Sequence, residues 1–155
     1  MGFMEGFVDG FVRAFNEERN DGRIEQLCAA LGWAIDERDG DTVGLNFKCP
    51  VRGRRTVYIN SGDEALVFFF APSAMILSQH SEHVNFIAGY ALFSNANTRL
   101  GKWQASFNKR DDIVLSLTYT ALGEGLNAAA LKYICSTMSA EASNFDARMK
   151  ERGIR

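Results

Sequence analysis

Few residues in this chain have side chains whose type and spacing could do chemistry. His80 and His83 are its two histidines, at HxxH spacing beside Ser78, Ser81 and Glu82. Two imidazoles and a carboxylate are donors that a zinc-type site uses. They straddle a helix N-cap expected at Ser81, however, and no further ligand lies close in sequence. They read as exposed helix-entry residues, and no metal is expected. Gly123-Glu124-Gly125-Leu126-Asn127-Ala128 matches G-x-G-x-x-A at a strand-to-helix junction. That pattern seats a dinucleotide only within a parallel β-α-β unit, and here the helix is the last element. A strand-to-helix turn is expected, with no cofactor. Cys28, Cys49 and Cys135 show no paired spacing and have no neighbouring histidine. Reduced thiols of a cytoplasmic protein are expected, two of them in the core. Arg52, Arg54 and Arg55 cluster in a hairpin, where an anion or acidic segment could dock; the alternative is a solvated turn whose charges discourage edge pairing. No catalytic set emerges.

The strongest pattern is physical instead. Gly2-Phe3, Gly6-Phe7, Gly10-Phe11 and Ala14-Phe15 recur every four residues. In a helix, residues four apart share one slowly drifting face. Phe3, Phe7, Phe11 and Phe15 thus form an aromatic stripe beside a stripe of small residues, with Glu5, Asp9, Arg13 and Asn16 facing away. Burying four Phe side chains is worth roughly 6–12 kcal/mol. Ordering about fifteen residues costs ~1–2 kcal/mol each, and each helical glycine costs about 1 kcal/mol more. The segment 1–20 therefore needs a partner: its own sheet, a second copy, a client protein or a bilayer. Membrane-surface helices favour Lys and Arg on the polar face, whereas Glu5, Asp9, Glu17 and Glu18 dominate here, which argues against a membrane.

The remaining elements follow from periodicity. Asn20-Asp21-Gly22 ends the first helix, and Ile24, Leu27, Cys28 and Leu31 have the spacing of a second. Val43, Leu45 and Phe47 alternate as a half-buried strand, and Val57-Tyr58-Ile59 centres another. Leu66 to Ala71 is apolar throughout, so both faces of that strand are covered. Leu66, Phe68 and Phe70 point one way; Val67, Phe69 and Ala71 point the other and are expected on the outward face. A helix from about 82 to 96 is apolar nearly all round, which predicts burial on more than one side. A hairpin over 103–119 follows, then a last helix from about Glu124. Residues 151–155 are expected to fray. The order after the N-terminal helix is α-β-β-β-α-β-β-α. This predicts a two-layer α+β domain over residues 21–150, with a five-stranded antiparallel sheet and helices packed on it.

Composition narrows the function classes. At 155 residues one domain is the simplest reading. A net charge of −2 gives no basic stripe for nucleic acid. No stretch approaches the ~20 apolar residues of a membrane span, and the first residues lack a basic n-region and continuous apolar core, so no signal peptide is expected.

Residues from about Arg23 to Met149 resemble the YbjN-like family and the wider type III secretion chaperone-like fold. The resemblance rests on the element order, on Ser94-Asn95-Ala96-Asn97-Thr98-Arg99-Leu100-Gly101-Lys102-Trp103 joining helix to hairpin, and on the Asp-rich turn before Ile113-Val114-Leu115. It implies an α+β domain that often dimerises, for which Phe86, Tyr90 and Phe93 are the expected interface. For the secretion chaperones it also implies an apolar surface that holds an extended client segment. A non-enzymatic protein-binding module is thus expected. Its candidate partner-binding residues are Phe3, Phe7, Phe11, Phe15, Tyr58, Val67 and Phe69. A small-ligand regulatory domain is the alternative, using the Arg52–Arg55 turn or a pocket under the central helix.

Overall fold

The computed structural model describes residues 22–49, 53–63 and 65–154. The expected N-terminal helix, with Phe3, Phe7, Phe11 and Phe15, lies outside the described residues, as does Arg52. The elements run α1 (Arg23–Ala30), β1 (Glu37–Asp39), β2 (Thr42–Cys49), β3 (Gly53–Asn60), β4 (Leu66–Ser78), α2 (Val84–Asn97), β5 (Lys102–Phe107), β6 (Asp112–Leu122) and α3 (Ala128–Glu151). They form an α+β structure with one open antiparallel sheet in the order β1-β2-β3-β4-β6-β5. The sheet has six strands, not five. The added edge strand is Glu37-Arg38-Asp39, exposed and wholly charged, so it carries no apolar alternation by which periodicity could find it.

Paired residues on antiparallel strands point to the same side, so the register sorts the two faces. On the inner face Val43, Ile59, Phe69 and Tyr119 form one row, and Leu117 pairs with Trp103. These residues pack with Ile24 and Cys28 of α1, Ile87 and Ala91 of α2, and Leu131, Ile134, Met138 and Phe145 of α3. All three described helices therefore lie on that face. Val67 and Phe69 are 5% and 1% exposed and belong to this core. Their expected outward placement is reversed: Phe68 and Phe70 face outward. In an apolar run, a period of two separates the faces without saying which one the helices cover.

Two further expectations change. The helix α2 is apolar all round, yet only Ile87 and Ala91 are buried, while Leu92 and Phe93 are 70% and 66% exposed. It covers the sheet near the outer strand β5 and leaves its other side uncovered. The C-terminus does not fray at 151. Past Glu151 the chain turns through Gly153, whose N–H donates to Lys150 O, and Ile154 inserts into the core with its own N–H on Met149 O. At the other end of α3, Asn127 caps by accepting from the Ala130 N–H at 2.9 Å.

The last helix is fixed to the sheet by a buried polar cluster. The register of β4 slips between Pro72 and Ile76. Proline has no N–H for a ladder, and bulges are where strands tolerate it. There the Asp146 carboxylate accepts from the Arg55 guanidinium, the Ser73 hydroxyl and, at 2.9 Å, the Ala74 N–H. Arg55 also donates to Pro72 O at 2.7 Å. Both partners of the ion pair are buried. Removing one member of such a pair leaves an uncompensated buried charge. Asp146→Ala should therefore lose about 3–5 kcal/mol in chemical denaturation, while Arg55→Met with Asp146→Leu should recover most of it.

Candidate functional site

The outer face of the sheet gathers its character at one row. Glu37, Gly44, Tyr58, Phe70, Thr118 and Lys102 lie side by side across all six strands. The next row holds Thr42, Asn60, Phe68 and Thr120. Tyr58 and Phe70 stack, with centroids 5.1 Å apart and planes 17° from parallel. On the far side of Tyr58, a Cβ on Gly44 would stand 3.1 Å from the tyrosine ring and 3.1 Å from the Glu37 Cβ. The absent side chain lets the ring lie down across β2, and its hydroxyl donates to Glu37 Oε2 at 3.2 Å. The surroundings are hydroxyl and amide groups, with Asn60 Nδ2 donating to Thr42 Oγ1 at 2.9 Å. This face thus has an aromatic centre with short polar groups around it. Nothing in it resembles a nucleophile with its base.

Tyr58 and Phe70 are only 9% and 7% exposed. Burial, and then the charge of Glu37 and the bond to it, push the Tyr58 phenol up to about 12. The phenol therefore stays protonated and remains a hydrogen-bond donor at any physiological pH.

The other expected site residues disperse. Arg55 is enclosed under α3 by Asp146, whereas Arg54 is exposed on the hairpin. Adjacent strand residues point to opposite faces, so no shared anion site forms between these two. His83 and Glu82 approach to 3.8 Å at the exposed entry to α2, and His80 is exposed. Among the described residues no three His, Cys, Asp or Glu side chains gather as a metal site. All three cysteines are free and buried, one more than expected. Burial raises Cys28 and takes Cys135 to about 12, so neither supplies a thiolate nucleophile at neutral pH. The G-x-G-x-x-A stretch makes a turn in which the Leu126 N–H donates to Gly123 O, leading into α3 with no strand after it.

Sequence reasoning missed Gly44, whose role depends on the partner strand; its signal is a glycine inside an otherwise regular strand. A pocket under the central helix was named only in outline; the structure has an apolar cleft of about 310 Å³ between α2 and β5. Ala88 and Ala91 of α2 face Ala105 of β5 there, with Trp103, Leu77 and Leu115 as floor and wall. Alanines on both sides leave the gap. The one polar lining residue, Asn95, spends its amide on the Trp103 backbone, donating to the carbonyl at 3.0 Å and accepting from the N–H at 2.6 Å.

With this geometry in view, the fold as a whole matches a known structure. YbjN from E. coli, a proposed transcription regulator, superposes with a TM-score of 0.65 at 12% identity, over 87% of this chain and 94% of that one. The fold is YbjN-like. The type III secretion chaperone SycH of Yersinia pestis, solved in complex with a stable fragment of YscM2, gives a TM-score of 0.48 at 13% identity, over 78% of this chain and 94% of that one. No family model matches the chain, and no curated protein sequence matches it. Among the described residues no helix is long and apolar enough to cross a membrane.

The outer-face geometry has a spectroscopic consequence. Alkaline titration followed by phenolate absorbance should show a component that develops only near pH 12. It should be missing in Tyr58→Phe and shift to lower pH in Glu37→Gln. As the raised phenol favours the protonated fold, this group withdraws stability as pH climbs from 10 towards 12.

Proposed function

We propose that this chain is a non-enzymatic protein-binding module of adaptor or chaperone type, dimeric and working in a reducing cytoplasm. The observation that carries the reading is the outer sheet face. Tyr58, Phe68 and Phe70 give it an aromatic centre, on the side opposite the three described helices. An amphipathic segment of a client, with aromatic residues along one side, has the matching chemistry. The three free, buried cysteines fit a reducing compartment. The described residues also lack a nucleophile-base pair or metal cluster with which to do catalysis.

For the dimer, α2 supplies the surface. Phe86, Leu92 and Phe93 are 40%, 70% and 66% exposed on one helix, a larger apolar display than a monomer usually leaves in water. Tyr90 contributes less, because it packs on Phe145 at 5.5 Å and its hydroxyl accepts from Arg148. Two copies meeting through α2 would bury the surplus in a two-fold contact.

A second reading, a small-ligand regulatory domain, is favoured by the 310 Å³ cleft, within the roughly 300–1,000 Å³ of ligand sites. Its occupant would be apolar, since the amide of Asn95 is already committed to backbone partners.

Three measurements separate these readings. A labelled amphipathic peptide with Phe at every fourth position should bind the protein, and Tyr58→Ala should weaken it roughly tenfold, as the loss of an aromatic anchor does; equal binding would defeat the docking reading. Sedimentation should show a dimer that Leu92→Asp with Phe93→Asp converts to a monomer of unchanged melting temperature. An uncharged naphthylamine dye should light up in the cleft and be expelled by Ala91→Leu only if the small-ligand reading holds.

A further inference from the structure

We propose that the cleft between α2 and β5 binds one free, straight-chain fatty acid of about a dozen carbons, with its tail in the cleft and its carboxylate on Lys102. This inference deepens the small-ligand reading and rests on it.

The walls set the shape of the ligand. Val84, Ala88, Ala91 and Asn95 line the cleft at the spacing of one helical face. The cleft therefore follows α2 for three turns, or about 16 Å. A volume of about 310 Å³ over that length leaves a mean cross-section of about 20 Å². That is the girth of a single extended alkyl chain, and a fused-ring skeleton is too wide for it. An extended chain advances ~1.3 Å per carbon, given carbon–carbon bonds of ~1.5 Å, so about a dozen carbons fill the length.

The interior offers nothing to a polar group. Asn95 is the one polar lining residue, and its amide holds both the N–H and the carbonyl of Trp103. A hydroxyl or amide carried inside would lose its water without gaining a partner. A polar head must therefore stay at one end.

The two ends differ in charge. At the Asn95 end, Lys102 precedes Trp103 and donates from its ammonium to Asn95 O at 2.5 Å. That bond uses one of three donors, and the residue is exposed, so two N–H groups remain for an anion at the mouth. The terminal carbonyls of α2 would by themselves repel an anion there; the ammonium seated on one of them offsets that field. At the Val84 end, Glu82 lies two residues before Val84, and Asp112 adjoins Ile113, another lining residue. Carboxylates there repel a further carboxylate. Charge thus orients the ligand, with its tail towards Val84 and its head at Lys102.

Calorimetric titration of the full chain with straight-chain fatty acids, each below its micelle concentration, tests this. From octanoate upwards, affinity should rise roughly fourfold per added methylene, as burial of each predicts. It should level off near dodecanoate at one ligand per chain. Ala105→Leu, at an exposed wall position, should weaken dodecanoate roughly tenfold by overfilling the gap and leave the melting temperature unchanged. Lys102→Met should weaken dodecanoate about fivefold, the scale of a partly exposed ion pair, and leave dodecanol unaffected. Affinity that climbs without levelling off, uptake of several ligands per chain, or indifference to Ala105→Leu would each overturn the proposal. Equal effects of Lys102→Met on acid and alcohol would overturn the placing of the head. If the uncharged naphthylamine dye enters the cleft but dodecanoate does not bind, the fatty acid fails and the small-ligand reading stands. If neither binds, both fail.

Discussion

Where the last helix crosses the kink in β4, one carboxylate decides how helix and sheet meet. Asp146 draws a guanidinium from β3, a hydroxyl from β4 and a backbone N–H freed by the register slip. Each of those donors would be costly if left unpaired in the interior. Together they admit few positions of α3 over the strands. Ser143 and Ser139 extend the polar seam along the helix towards Cys49. On either side of it, Phe145 stacks near Trp103 at 4.1 Å, and Met138 and Met149 disappear into the core. Burial supplies most of the stabilisation, and the polar seam supplies register.

Once α3 is seated, the two faces of the sheet have different fates. The inner face is spent on the core. The outer face keeps a stacked Tyr58–Phe70 pair framed by hydroxyls, amides and the Glu37 carboxylate. Gly44 is what lets that pair lie flat. A second reserve of apolar surface sits on α2, which lies beside β5 at the margin of the sheet. Apolar side chains thus gather at two places outside the core, on different elements: the outer sheet face and the exposed side of α2.

Much of this was legible in the residues. Alternation located β2, β5 and β6, helical spacing located α1 and α3, and the glycine-rich stretch before α3 was rightly read as a turn. The likeness to the YbjN-like fold came from element order, from the stretch Ser94 to Trp103 and from the Asp-rich turn before Ile113, and the superposition bears out the fold. The misses share a cause. The strand β1 is three charged residues held by ladder bonds to β2, and such bonds leave no trace in side-chain periodicity. Arg55 looked like a member of an exposed basic cluster, because its partner Asp146 lies 91 positions away. The apolar girth of α2 suggested burial all round, yet a helix beside an edge strand has too few neighbours to provide it.

The chain by itself determined which side chains travel together: Leu66, Phe68 and Phe70 on one side of a strand, and Val67, Phe69 and Ala71 on the other. Those groupings follow from local backbone geometry, which every residue carries with it. Only the tertiary structure decided which group meets the helices, because two equally apolar strand faces differ in nothing local. The choice was made by contacts distant in sequence, among them those of Asp146 with Arg55 and Ser73, and it turned Phe68 and Phe70 to the face opposite the described helices.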